Sequence, residues 1–164
     1  MLKGKKQLMA IAQQNKNRAR EIQAVILRLR DEEFGIEIAN VREITGIMDI
    51  TTINEPTGFI RGVVNLRGQV IVVVDLARQF GFSALEKIPK TARIVFIELR
   101  KKIFGLIVDQ ASDVVKVSLA SASSSPDHVQ TVVQPNYIKG VGRVDKRSII
   151  VLDLEKVFLK FIKG

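Results

Sequence analysis

Arg67 is the side chain in this sequence best suited to recognition chemistry. Its guanidinium is planar, carries five N–H donors and fits a carboxylate presented by a partner. It sits in the tight turn Asn65-Leu66-Arg67-Gly68. Such a turn uses Gly68 for its positive φ but does not demand an arginine beside it. Recognition and plain solvent exposure are therefore both open for Arg67. Val41 and Glu43 lie two apart in a β-prone run, a spacing that puts both on one face of a strand. Their counterparts further along, Ala111 and Asp113, keep the pattern in part, which leaves a structural role open beside a binding one. Asp75 and Asp153 resemble candidate catalytic carboxylates, but they recur at matched positions ahead of helix-like segments, as N-caps do. The single histidine, His128, follows Pro126-Asp127 in a polar loop without neighbours to complete a metal site or a nucleophile–base pair. Gly62 and Gly68 fit neither phosphate-binding glycine pattern. The expectation is a non-enzyme with no cofactor, no metal and no small-molecule substrate.

The elements that must position these residues come in two copies. Phe59 to Phe80 recurs without a gap as Tyr137 to Phe158, with eight of 22 aligned positions identical at an offset of 78. A second echo precedes each copy: Leu29-Arg30 with Phe34-Gly35-Ile36, against Leu99-Arg100 with Phe104-Gly105-Leu106, at an offset of 70. The two offsets put about eight extra residues between Val114 and Tyr137 in the second half. The Ser-rich run Ser118 to Pro126 is the expected loop there. Each half reads as strand, turn, strand, two more strands and a short helix. Predicted strands are Gln23 to Arg30, Phe34 to Ile38, Val41 to Thr45, Val63 to Leu66, Val70 to Val74, Thr91 to Leu99 and Ile103 to Val108. Leu76 to Phe80 and a final helix carrying Leu154, Val157, Phe158, Phe161 and Ile162 on one face follow the two aspartates. Ile71 to Val74 is apolar on both faces, which suits burial between the halves. The fold class is mainly β: two five-stranded barrel subdomains from an internal repeat, with repeat units about 23–82 and 91–160, short helices and a C-terminal helix.

Composition narrows the function further. Across 164 residues there is no cysteine, hence no disulfide, thiol nucleophile or thiolate metal site. The apolar runs are too short to span a membrane, and the basic start lacks the apolar centre of a signal peptide. The protein is expected to be cytoplasmic. The net charge is +9, and the first 22 residues form a basic leader carrying Lys3, Lys5, Lys6, Lys16, Arg18 and Arg20. That leader supports an alternative class, a small basic barrel binding nucleic acid. Against it, tryptophan is absent and the lone Tyr137 repeats the core-like Phe59, so no aromatic platform for bases is evident.

The block Pro56-Thr57-Gly58-Phe59-Ile60-Arg61-Gly62-Val63-Val64-Asn65-Leu66-Arg67-Gly68 through Val74-Asp75-Leu76 resembles the signature of the CheW family, adaptors of bacterial and archaeal chemotaxis. The likeness extends to Asp31-Glu32-Glu33-Phe34-Gly35-Ile36, Val41-Arg42-Glu43-Ile44, Gly105-Leu106-Ile107-Val108-Asp109 and Ser112-Asp113-Val114, covering about residues 23–160. The resemblance implies a pair of five-stranded SH3-like barrels packed around a shared apolar core. It also implies a non-catalytic scaffold coupling methyl-accepting chemoreceptor tips to the regulatory domain of the histidine kinase CheA, with the membrane reached only through the receptors. Receptor contact is carried over to Val41, Glu43, Gly62 and Arg67, and kinase contact to Val129. Gly62 recurs as Gly140, so a backbone cause is expected for it, with an indirect effect on binding. A fused receiver domain would need another hundred or so residues, so a free-standing adaptor is expected. The same fold serving another sensory pathway, such as surface motility, stays open. The family's usual proline near Val72 or Val73 is absent, and valine there leaves the strand intact.

Overall fold

The structure is a computed structural model and describes residues 20–119 and 131–162. The strands are β1 (Arg20–Leu29), β2 (Glu32–Glu37), β3 (Val41–Thr45), β4 (Thr51–Thr52), β5 (Ile60–Leu66), β6 (Gln69–Asp75), β7 (Arg93–Leu99), β8 (Lys102–Val108), β9 (Gln110–Leu119), β10 (Ile138–Val144) and β11 (Arg147–Leu152). Short helical segments run Leu76–Gln79, Leu154–Val157 and Leu159–Ile162. One sheet is a closed barrel, β1-β2-β11-β10-β9; the other has the order β3-β7-β8-β6-β5-β4.

Neither sheet is built from one repeat. The halves exchange their leading hairpins, so β2 pairs in parallel with β11 and β8 in parallel with β6. The two joins are equivalent residue by residue: Gly35 lies opposite Val151, and Gly105 opposite Val73. The exchange has a packing reason. Val74 belongs to the large central cluster shared by both sheets, while Ile71 and Val73 belong to the smaller cluster of the second sheet. A strand apolar on both faces needs cover on both sides, as a strand inside a parallel pairing receives. The central cluster draws Leu27, Phe34, Leu76, Ile97, Leu106 and Phe158 from both halves. Each such side chain contributes about 1.5–3 kcal/mol on burial.

The two sheets differ in how they close. β9 is one ten-residue strand that pairs with β1 along its length and with β10 near Leu119. Its counterpart is split: β3 pairs with β7, β4 pairs with β5, and residues 46–50 run between them. The second sheet therefore counts six strands where the barrel counts five.

Several boundaries move from their predicted places. β1 begins at Arg20, inside the predicted leader, because it pairs with β9 out to Leu119. Ser118 belongs to β9 and not to a loop, since it faces Arg143 across the ladder. The final helix is two short segments broken at Phe158, yet Leu154, Val157, Phe158 and Ile162 are buried as its pattern predicts. Both aspartates cap as expected: Asp75 accepts from the Arg78 amide at 3.3 Å and Asp153 from the Lys156 amide at 3.2 Å.

Candidate protein-interaction groove

The β5–β6 turn fixes the first candidate side chain. Leu66 pairs with Gln69, leaving Arg67 and Gly68 as the two turn residues, with φ values of 53° and 85°. Two consecutive positive φ angles make the mirror-image turn that matches the twist of a hairpin. Gly68 adopts its angle freely, whereas Arg67 gives up about 1–2 kcal/mol of backbone preference. The Asn65 side-chain oxygen accepts from the Gly68 amide at 2.8 Å and holds the turn.

Arg67 then reaches back to β3. Its Nη1 donates to Glu43 Oε2 and its Nη2 to Glu43 Oε1, both at 2.8 Å, a parallel two-bond fork. The Glu43 side chain is 24% exposed and that of Arg67 is 76% exposed. The bridge runs from β3, an edge strand, to the β5–β6 turn of the same sheet, over a groove of about 490 Å³ whose lining includes Val41, Arg42, Leu66, Phe96 and Ile103. Beside it, Arg42 pairs with Glu98 at 3.1 Å. The carboxylate expected from a partner is thus supplied by the chain itself. Two of the five N–H donors are used, leaving three for a ligand.

Val41 and Glu43 do not share a strand face, contrary to the two-residue spacing. A β-bulge falls between them. Val41 lies opposite Ile97 and packs on the central cluster, whereas Glu43 lies opposite Phe96 of the second sheet's own cluster. Both still line the groove.

Gly62 stands apart from the groove lining. Its φ is +150°, and a Cβ there would sit 2.0 Å from the Thr51 carbonyl oxygen. It marks a bulge in β5 where β4 crosses closely, with Thr52 opposite Gly62. Gly140 occupies the matching bulge in β10. The backbone cause expected from the repeat is present at Gly62 but not at Gly140, which has no positive φ and whose added Cβ would meet only the Leu119 side chain at 3.4 Å. Val129 lies outside the described residues, as does His128.

Two further apolar residues, not among those carried over to receptor or kinase contact, stand at the surface. Ile44 and Val114 are exposed at 37% and 48% and lie 70 positions apart, so they are counterparts in β3 and β9. Val41 and Ala111, three residues before each, are likewise counterparts, and both pack on the central cluster. The offset itself was the signal: an apolar residue repeated at the same place in two matched strands, opposite Val95 in one and Val25 in the other. Among the described residues no cluster of three or more acidic or histidine side chains could hold a metal, and no helix is long and apolar enough to cross a membrane.

Two sheets that trade hairpins around one core, with a charged groove at the end of the second, define a double SH3-like barrel protein. The family model described as CheW-like domain matches residues 23–160. A protein named "Probable chemotaxis protein CheW" from Rhizobium etli is 33% identical over 136 residues, covering 82% of this chain and 85% of the relative. Chemotaxis protein CheW of Klebsiella aerogenes is 32% identical over 133 residues, covering 81% and 79%. The crystal structure of the scaffolding protein TtCheW from Thermoanaerobacter tengcongensis superposes with a TM-score of 0.70 at 32% identity, covering 85% of this chain and 88% of that one. The chain belongs to the CheW-like family, whose class is that of chemotaxis scaffold and adaptor proteins.

Proposed function

We propose that this chain couples the cytoplasmic tips of methyl-accepting chemoreceptors to the regulatory domain of the histidine kinase CheA, and that the Arg67–Glu43 groove is its receptor face. The observation that carries this is convergence. Val41, Glu43 and Arg67, separated by up to 26 positions in the sequence, line one groove and leave three guanidinium donors unspent. The mechanism is positional. A helical receptor tip lays apolar side chains beside Val41 and Ile44 and presents a polar group to Arg67, while a separate surface holds the kinase. Gly62 acts at one remove, by letting β4 approach β5. Val129 is assigned to the kinase side on family likeness alone. The protein has no reaction of its own in this scheme, works in the cytoplasm and reaches the membrane only through its receptors.

The test is co-elution on a sizing column with a CheA regulatory fragment and a receptor cytoplasmic fragment, wild type beside Arg67→Glu. A variant that keeps the kinase fragment and loses the receptor fragment supports the assignment. A folded variant that retains both partners at wild-type strength removes the groove from the receptor face.

A further inference from the structure

At the seam between the two sheets lies a cavity of about 560 Å³, away from the Arg67–Glu43 groove. Its walls come from both repeats: Phe59 and Tyr137, which are counterparts 78 positions apart, with Phe80 and Phe161. At its rim Val132 is 60% exposed and Leu159 43% exposed, so apolar surface continues from the interior to the mouth. Three charged side chains also line it: Lys156, Lys160 and Glu55. Glu55 is spent on its own turn, its carboxylate accepting from the Thr57 hydroxyl and, at 3.1 Å, from the Thr57 amide. Lys156 and Lys160 are exposed, and neither has a carboxylate partner among the described residues. The nearby Glu155 is instead paired with Arg100 at 3.6 Å. The cavity therefore combines an aromatic interior, an apolar lip and two unpaired cations on one side.

We propose that this cavity docks an acidic segment of a partner protein, anchored by one or two apolar side chains and flanked by Asp or Glu facing Lys156 and Lys160. The apolar anchor fills the aromatic interior, and the carboxylates meet the cations at the lip. This site is separate from the receptor groove, and its assignment does not rest on the chemotaxis partners named above.

The probe is a fluorescein-labelled hexapeptide, Glu-Asp-Leu-Phe-Glu-Asp, titrated into the whole chain by anisotropy. Binding at low salt that weakens as salt rises is expected. Reversing both charges, Lys156→Glu with Lys160→Glu, leaves the melting temperature unchanged within a few degrees and weakens the peptide about tenfold, since exposed pairs contribute modestly and two are inverted. A peptide with lysines for its acids then prefers the reversed protein. Amide shifts on binding to the wild type fall at Val133, Tyr137 and Phe161. Equal affinity for wild type and reversed protein, shifts centred on Glu43 and Arg67, or no binding to the wild type would each overturn the proposal.

Discussion

Reversing Arg67 to glutamate separates two things the bridge does. The substitution removes two 2.8 Å bonds and sets a second carboxylate against Glu43. Arg67 is three-quarters exposed, so the lost pair counts as a surface pair, about 0.2–1 kcal/mol. The new like-charge contact adds a cost of similar size. Together these come to about 0.4–2 kcal/mol, or roughly 1–8 °C in melting temperature for a chain of this length. The backbone does not confound the comparison, because a glutamate at φ 53° is strained as an arginine is. Receptor affinity should fall further, about 30-fold or more, since removing one partner of an interfacial charged contact costs about 2–5 kcal/mol. The decisive variant is the swap, Glu43→Arg with Arg67→Glu, which rebuilds the bridge in reverse. Calorimetric melting should show most of the lost stability regained. Titration with a receptor cytoplasmic fragment should show binding still lost, because position 67 now offers acceptors where the partner needs donors. If the swap restores receptor affinity along with stability, the bridge only shapes the groove and the guanidinium's spare donors are not read.

Gly62→Ala should destabilise the protein by several kcal/mol, because the conformation alone costs about 1–3 kcal/mol in a non-glycine residue and the 2.0 Å approach to the Thr51 carbonyl must also open; Gly140→Ala, whose added Cβ meets only Leu119 at 3.4 Å, should cost far less in the same chemical melt. Asp75→Ala should cost about 1 kcal/mol by removing the helix cap, with Asp75→Asn recovering most of it; equal melting midpoints for all three proteins would deny the cap. The Thr57 side chain, first among several hydrogen bonds, holds the Glu55 carboxyl below its ordinary pKa of 4.5. A group depressed in the fold stabilises it above the unfolded pKa and loses that contribution as pH falls through the folded value. Thr57→Val should therefore raise the Glu55 midpoint in an NMR titration and weaken the acid dependence of stability below pH 4.5.

The repeat made much of this fold legible, and it also set the limit. β3 falls at its predicted residues, and the matched aspartates were correctly separated from catalysis because symmetry repeated them. The exchange of hairpins was not legible. Matched halves state that two units are alike, but not which strand of one lies beside which strand of the other, a choice made by long-range burial of β6 and β11. The bulge between Val41 and Glu43 was hidden for a local reason: one extra residue shifts the side-chain period without leaving any mark in residue type. The candidate groove was approached through the repeat's differences, since Arg67 and its counterpart Asp145 share a positive φ and a turn but not a chemistry.

The same contrast identifies a second place where the halves were made unequal. Arg30 and Arg100 are counterparts in the two exchanged hairpins, with φ of 58° and 48°. Arg100 meets Glu155 in an exposed contact at 3.6 Å. Arg30 is mostly buried and does far more. Its Nη1 donates to both oxygens of Asp109 at 2.9 Å, its own amide donates to Asp109 at 2.6 Å, and its Nη2 donates to the Ser83 carbonyl at 2.6 Å. Asp109 lies between β8 of one sheet and β9 of the other, and Ser83 lies in the segment joining the two repeats. One side chain thus ties a barrel hairpin, the crossing between sheets and the inter-repeat segment. The position matching Asp109 in the first half is Ala39, which cannot accept such a bond. A scaffold works by holding its faces at fixed angles, and a fork buried on one side of a near-symmetric molecule resists rotation where loose packing of two sheets would allow it. Departures from the repeat therefore fall into two kinds here: Arg67 turns outward, where the proposed receptor contact would meet it, and Arg30 turns inward to tie the two sheets and the segment between the repeats.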